Sequence, residues 1–161
     1  ILNFINPHQL FSIENLQIQA YPVPHDATEP CQYIFSDGDK RIGVLTDAGH
    51  VTPYMQKLLS GCEALLIECN HDRTMLRNGP YPPQLQKRVG GDRGHLSNCQ
   101  TATFLKTADT SKLQHCVITH ISEKNNTEQL ARLAVTEALD CDEPWIVTAD
   151  QFIGLDWREL T

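Results

Sequence analysis

The sequence lacks both a long apolar run and a close pair of cysteines. A transmembrane helix needs about 20 consecutive apolar residues, whereas the apolar runs here have only the length of a strand, as in EALLIEC at 63–69. The six cysteines include no C-x-x-C pair, which argues against a structural zinc site. Three of them, Cys62, Cys69 and Cys116, lie in or beside apolar runs and are predicted to be buried thiols. These absences predict a cytoplasmic protein that does not enter membranes.

The beginning of the sequence carries neither an initiator Met nor the features of a secretory signal. Its first ten residues, ILNFINPHQL, have no basic region and no cleavage site of small residues. We therefore expect the chain to begin after processing or within a longer protein.

Positive charge is also scarce. Thirteen Lys and Arg residues stand against twenty Asp and Glu, and the formal net charge is −7. This balance argues against broad electrostatic attraction to nucleic acid or to an anionic membrane. A polyanionic substrate stays open, because bound divalent cations add positive charge that a residue count misses.

The patterning predicts a single α/β domain over residues 1–161. Strands are predicted at 16–23, 31–35, 41–46, 63–69, 113–119 and 145–149, and helices at 53–60, 99–108 and from Asn126 onward. Thr52 and Pro53 form the start of the first helix and Gly61 follows its end. Residues 70–98 are predicted to be a long loop with one short helix around 83–89. Long ordered loops of this kind are uncommon unless they are functional.

Three polar residues each follow a predicted strand. They are His25, Asp47 and His120. The ends of strands in α/β folds gather ligand-binding groups, and two imidazoles with a carboxylate suit a cation such as Zn²⁺ or Mn²⁺. A histidine beside a strand can equally be a hydrogen-bonded core residue, so the pattern alone leaves both interpretations open.

The residues around these positions resemble the C-terminal half of the metallo-β-lactamase superfamily, and within it the YycJ-like (WalJ-like) branch. The resemblance covers about residues 20–150. It rests on the segments VPHDATEPCQYIF, GVLTDAG, LLIECNHD, GPYPPQLQKRVGGDRGHLSN and ITHISEKNNTEQLA. The implied fold is half of an αβ/βα sandwich, a mixed sheet with helices on its outer face.

The resemblance implies a role for each site residue. His25 would be a terminal ligand of one metal, His120 a terminal ligand of a second, and Asp47 the carboxylate that bridges them. His95 would transfer a proton near the scissile phosphate, and Glu68, with His71, would orient that histidine. The cofactors implied are two divalent ions, Zn or Mn.

Further residues have weaker assignments. Ser122 and Asn125 could contact substrate or cap the following helix. Arg93, with Lys87 and Arg88, could meet a phosphate backbone or form a solvated loop surface.

The sequence departs from the family in one large respect. The H-x-H-x-D-H motif, which normally precedes the equivalent of His25 and supplies four more ligands, does not occur; the histidine upstream is His8. We expect the N-terminal half of the fold to come from the same or another chain, or to have been lost. The isolated half would bind metal weakly, be nearly inactive, and expose an apolar sheet face.

The resemblance implies a two-metal phosphodiesterase, with nucleic acid as the expected substrate. Because a fold does not determine a substrate, a hydrolase of thioesters, lactones or β-lactams is the alternative. A third hypothesis is non-enzymatic: an inactive half-domain that serves as an assembly module, for example as a homodimer.

Overall fold

The computed structural model describes residues 4–161 and contains a seven-stranded sheet whose strands follow one another in chain order. The strands are β1 (Leu10–Ile13), β2 (Leu16–Pro22), β3 (Cys31–Ser36), β4 (Arg41–Leu45), β5 (Ala64–Glu68), β6 (His115–Thr119) and β7 (Val147–Thr148). The first four strands are paired antiparallel, and β4 to β7 are paired parallel. The sheet is therefore mixed, as predicted.

This topology decides where strand ends meet. Because β3 is antiparallel to both β2 and β4, those two strands run in the same direction, and β5 and β6 follow β4 in parallel. The carboxyl ends of β2, β4, β5 and β6 consequently lie at one edge of the sheet. Ligand sites of α/β sheets form at such an edge.

Five helices connect the strands. They are α1 (Pro53–Leu59), α2 (Arg73–Asn78), α3 (Pro83–Val89), α4 (Asn98–Thr107) and α5 (Glu128–Leu139), and a 3₁₀ turn covers Glu143–Trp145. The Thr52 hydroxyl accepts a hydrogen bond from the Met55 amide, which confirms the predicted start of α1. None of the helices in residues 4–161 combines the length and apolarity needed to span a bilayer.

The structure differs from the sequence prediction at four places. Strand β1 was not predicted, and α2 lies where a loop was expected. The cap of α5 is Thr127 rather than Asn126, because the buried Asn126 amide pairs with Asn98 instead. A capping box joins Ser97 and Gln100 at the start of α4. The strand predicted at 145–149 is shorter, β7 at Val147–Thr148, because Trp145 belongs to the 3₁₀ turn.

The core lies between one face of the sheet and three helices. Leu45, Ile67 and Ile118 of the parallel strands pack with Leu59 of α1 and Phe104 of α4, all nearly inaccessible to solvent. Right-handed crossovers between successive parallel strands place their helices on the same face. The buried thiols Cys62, Cys69 and Cys116 lie in this core, as predicted, and burial raises the pKa of Cys69 to about 12.

The opposite face of the sheet is apolar and only partly covered. The register places Phe35, Ile42, Val44 and Leu66 on this face, opposite to the helix side, and each of them is partly exposed. None of these four belongs to the core cluster. A contiguous apolar surface of this kind marks an interaction site. We call it the open sheet face.

Candidate metal centre

Four ionisable residues converge at the carboxyl edge of the sheet. Glu68 is the last residue of β5, Asp47 follows β4, His120 follows β6, and His95 comes from the loop before α4. Each offers one ligand atom, and those four atoms lie within 4.8 Å of one another. The structure therefore brings together residues that are up to 73 positions apart in sequence, from Asp47 to His120.

The two histidines of this cluster share one carboxylate oxygen. Nδ1 of His120 lies 2.7 Å and Nδ1 of His95 lies 2.8 Å from Oε1 of Glu68. Since an ionised carboxylate only accepts hydrogen bonds, each Nδ1 carries the hydrogen. The lone pair of each ring is therefore on Nε2, where it can bind a cation or a proton.

Glu68 is fully buried and serves as the anchor of the cluster. Its Oε2 accepts hydrogen bonds from the backbone amides of Ala48 and Leu96, each at 3.2 Å. Burial alone would raise the pKa of Glu68, but the hydrogen bonds from His120 and His95 and their charges hold it below its usual value. The hydrogen bond to Glu68 in turn raises the pKa of His120. Glu68 is thus a buried anion that fixes both rings.

Two of the six non-glycine residues with positive φ in the described part of the chain lie just after parallel strands. Asp47 has φ 52° and His120 has φ 55°, both in the left-handed region that side chains other than glycine rarely adopt. Such conformations concentrate at functional sites, where the surrounding structure has to hold them. At His120 the holding group is Asn70, whose Nδ2 donates to the His120 carbonyl at 3.1 Å.

His25 lies at the margin of the cluster. Its Nε2 is 4.0 Å from Oδ1 of Asp47, and its ring centroid is 5.0 Å from that of His95. Nδ1 lies 3.0 Å from the carbonyl oxygen of Gly94, and because a carbonyl only accepts, Nδ1 is the donor. Nε2 keeps its lone pair and lies 3.7 Å from Oδ1 of Asp26 and 4.0 Å from Oδ1 of Asp47. Metal-ligating histidines commonly have their other nitrogen fixed in this way.

The donor set fits a divalent cation. Imidazole nitrogen and carboxylate oxygen are the ligands of Zn²⁺ and suit Mn²⁺ as well. The cluster contains two carboxylates, one of them inaccessible to solvent, beside histidines that are neutral when they serve as ligands. A cation among them would offset buried negative charge that is otherwise costly.

Gly94 connects the loop that carries His95 to His25, and it has no room for a side chain. A Cβ there would overlap the backbone carbonyl oxygens of Val89 and Arg88. We expect Gly94→Ala to shift the loop and to weaken metal binding by about 10-fold or more, as loss of a residue that supports a ligand typically does. Isothermal titration calorimetry of the intact protein with Zn²⁺ measures the change in metal affinity.

The matched control is Gly90→Ala in the same segment. A Cβ there would meet the end of the Leu76 side chain at 3.1 Å, which can move aside. Zinc affinity should change by less than about 3-fold, because no ligand loses its support. Equal effects of the two substitutions would contradict the role of Gly94.

The remaining predicted site residues lie outside the cluster. The Ser122 hydroxyl accepts a hydrogen bond from the Asn125 amide, and Asn125 is fully buried, with its carbonyl oxygen bonded to the Asp72 amide. Arg93 is exposed on the loop before His95. His71 forms no hydrogen bond with Glu68. The His71 side chain is buried, and burial lowers the pKa of His71 to about 4.

Sequence reasoning missed the residues that hold the cluster in place. Asn70 bonds the His120 carbonyl, and its own backbone amide donates to the Leu96 carbonyl. It therefore ties together the loops of His95 and His120. Gly94 belongs to the segment GPYPPQLQKRVGGDRGHLSN, which resembles the family. Its close approach to Val89 depends on how the loop folds back, so it was not predicted from the sequence.

Comparison with known proteins identifies the chain's relatives. A family model described as "Beta-lactamase superfamily domain" matches residues 2–121. The chain is 33% identical over 126 residues to a protein named Exodeoxyribonuclease YycJ from Bacillus anthracis; the match covers 78% of this chain and 48% of that protein. The chain spans about half the length of the curated relatives it matches.

Solved structures share the fold at low sequence identity. The metallo-β-lactamase fold protein YhfI from Bacillus subtilis superposes with a TM-score of 0.67 at 14% identity, over 95% of this chain and 54% of that one. Zn²⁺-bound PqqB from Methylobacterium extorquens gives 0.65 at 18% identity, over 95% and 55%. These values show a common fold.

Proposed function

Because this chain belongs to the YycJ-like branch of the metallo-β-lactamase superfamily, we propose that it contributes half of the active site of a metal-dependent DNA phosphodiesterase. The proposed substrate follows from the relative named as an exodeoxyribonuclease. The proposed cofactors are two divalent ions, Zn²⁺ or Mn²⁺, and the proposed ligands from this chain are His25, Asp47 and His120.

The convergence of these side chains at one edge of the sheet carries the proposal. Asp47 lies close to both rings, with its Oδ1 4.0 Å from His25 Nε2 and 3.5 Å from His120 Nδ1. Since Nδ1 of His120 donates to Glu68, a cation would bind this ring at Nε2. A carboxylate in this position can serve two cations, one on the side of each histidine. Divalent cations bound here would supply charge stabilisation for a phosphoryl group and lower the pKa of water.

His95 is the proposed proton donor. Its Nδ1 hydrogen is committed to Glu68 at 2.8 Å, so Nε2 is the ring atom that is free to exchange a proton. A histidine side chain positioned within hydrogen-bond reach can protonate the oxygen that leaves when a phosphodiester bond breaks. Glu68 acts through His95 and His120 as a positioning residue.

The chain requires a partner to complete the site. Three protein ligands are usual even at an open catalytic zinc site, and this chain offers fewer for each of two ions. We propose that the rest of the intact protein supplies further ligands and packs on the open sheet face, where Phe35, Val44 and Leu66 are partly exposed. The isolated chain should therefore be nearly inactive.

Two chromogenic substrates test the assignment directly. With the intact protein and Mn²⁺ or Zn²⁺, we expect turnover of bis-(p-nitrophenyl) phosphate and no turnover of nitrocefin, because the site is proposed to act on phosphodiesters. Metal analysis should find about two ions per molecule. Hydrolysis of nitrocefin without hydrolysis of the phosphodiester would overturn the proposal in favour of acyl chemistry, and a stable metal-free dimer would favour an assembly module.

A further inference from the structure

A second polar cleft lies beside the metal centre. It has a volume of about 390 Å³, and its walls include His71, Arg73, Arg77, Gln86 and Asp92. These residues belong to the segment that follows β5, so the cleft lies at the same edge of the sheet as the metal centre. None of them is among the residues that form that centre.

Two arginines in this cleft have no acidic partner. Arg73 and Arg77 are four positions apart on α2 and therefore lie on the same side of the helix, where like charges repel each other. Across residues 4–161, neither guanidinium has a carboxylate oxygen within 4.0 Å. The positive charge of this pair is therefore not balanced by a contacting carboxylate. An anion from outside would remove the repulsion.

His71 contributes a third polar group to the wall of the cleft. Its side chain is only 2% exposed, and its Nδ1 has no hydrogen-bond partner among the described residues. Nδ1 is itself inaccessible to solvent, so a ligand in the cleft would reach the ring through Nε2, which lies on the side of Gly90, 3.9 Å from the position that a Cβ on Gly90 would take. An imidazole with two arginines is a set of donors that suits phosphate oxygens.

The cleft and the metal centre share a wall. The segment Gly90–His95 has Gly90 and Asp92 on the cleft and His95 in the metal cluster. Arg73 is held on the same wall, because its Nε donates to Ser97 Oγ at 3.3 Å. A strand of DNA that presents one phosphate to the metal centre has its neighbouring phosphates close by.

We propose that this cleft is a second phosphate subsite, which holds a phosphodiester group of the DNA strand next to the one that is cleaved. The inference rests on the proposed nuclease function and deepens it. Arg73 and Arg77 bind the phosphate oxygens, and His71 completes the site with one hydrogen bond. The Asp92 carboxylate at the cleft reduces its positive charge but leaves a net charge of one from the two arginines.

Binding without catalysis tests the subsite. The probe is a fluorescently labelled single-stranded oligodeoxynucleotide, titrated into the intact protein after removal of metal with a chelator, at several salt concentrations. We expect Arg73→Gln combined with Arg77→Gln to weaken binding by about 10-fold and to reduce the salt slope by about 0.7, the value for one phosphate contact on a single strand. Arg158→Gln, an exposed arginine on the C-terminal tail, is the matched control and should bind as the wild type does.

Both arginines are exposed, so the double variant should fold, and its thermal unfolding checks this. If the variant is folded and binds the strand with unchanged affinity and slope, the subsite is wrong. If Arg158→Gln weakens binding equally, the effect is general electrostatics and the subsite is also wrong. Failure of the proposed function would be seen separately, as wild-type protein that binds the strand but does not cleave it once metal is restored.

Discussion

Replacing Asp47 with Asn should abolish phosphodiester cleavage by the intact protein and leave the fold unchanged. The carboxylate lies close to both His25 and His120, and its loss removes the one ligand that could serve both cations. Metal-ion stabilisation is worth several kcal/mol in the transition state, so the rate should fall by about 10³-fold or more. Steady-state hydrolysis of bis-(p-nitrophenyl) phosphate measures the loss.

Asn is a better replacement than Ala, because Asp47 has a left-handed backbone with φ 52°. Asn tolerates that conformation, whereas a residue such as Ala pays about 1 kcal/mol or more for it. The control is Asp39→Asn, in the turn between β3 and β4, where the side chain is 86% exposed. Full activity is expected there. Cleavage retained by Asp47→Asn would remove Asp47 from the mechanism.

Replacing Glu68 with Ala should cause the largest loss of stability. Its carboxylate accepts hydrogen bonds from two backbone amides, of Ala48 and Leu96, and from the rings of His95 and His120. Removing a buried acceptor costs about 1–3 kcal/mol for each donor left without a partner. We expect the free energy of unfolding to fall by about 4 kcal/mol in total, a large part of the 5–15 kcal/mol typical of a domain. Chemical denaturation of the metal-free protein measures it.

The Glu68→Gln variant separates charge from shape. Gln keeps one oxygen acceptor and nearly the same volume, so the loss of stability should be about half as large. The difference in the free energy of unfolding between wild type and Glu68→Gln should also depend on pH. Glu68 contributes fully above the ordinary glutamate pKa of about 4.3, and its contribution is lost as pH falls through its lowered pKa.

The pKa of His120 sets the upper pH limit of the stability that the Glu68–His120 pair contributes. Because its pKa is raised, its contribution is complete below the ordinary histidine value of about 6.5 and is lost as pH rises through the raised pKa. The stability difference should therefore be greatest between about pH 4.3 and 6.5. A difference that stays constant from pH 3 to 9 would show that the Glu68–His120 pair does not carry it.

The sequence predicted those parts of the fold that depend on local signals. Thr52 and Pro53 define the start of α1, and the alternating or continuous apolar runs define β2 to β6. Strand β1 was missed because it is an edge strand with only one partner, and three of its four residues are exposed. Helix α2 was missed because it has six residues and lies in a polar segment, where its cap, Asp72, is the main local signal.

The site was predictable in its residues but not in its arrangement. His25, Asp47 and His120 follow strands that the topology aligns at one edge, so their proximity follows from the fold. The resemblance implied that Glu68 orients His95, but the second hydrogen bond of Glu68, from His120, was not predicted, because it joins residues 52 positions apart in the chain. The cleft with Arg73 and Arg77 could not be predicted either, since whether an arginine is paired depends on its neighbours in space.

Divalent metal ions are expected to bind at this edge of the sheet. Crystals of the intact protein grown with Mn²⁺ or Zn²⁺, and diffraction data collected at the absorption edge of the metal, test this binding most directly. We predict two anomalous peaks, one in contact with His25 and Asp47 and the other with Asp47 and His120. Strong peaks elsewhere, with none in contact with Asp47 at full metal occupancy, would contradict the account.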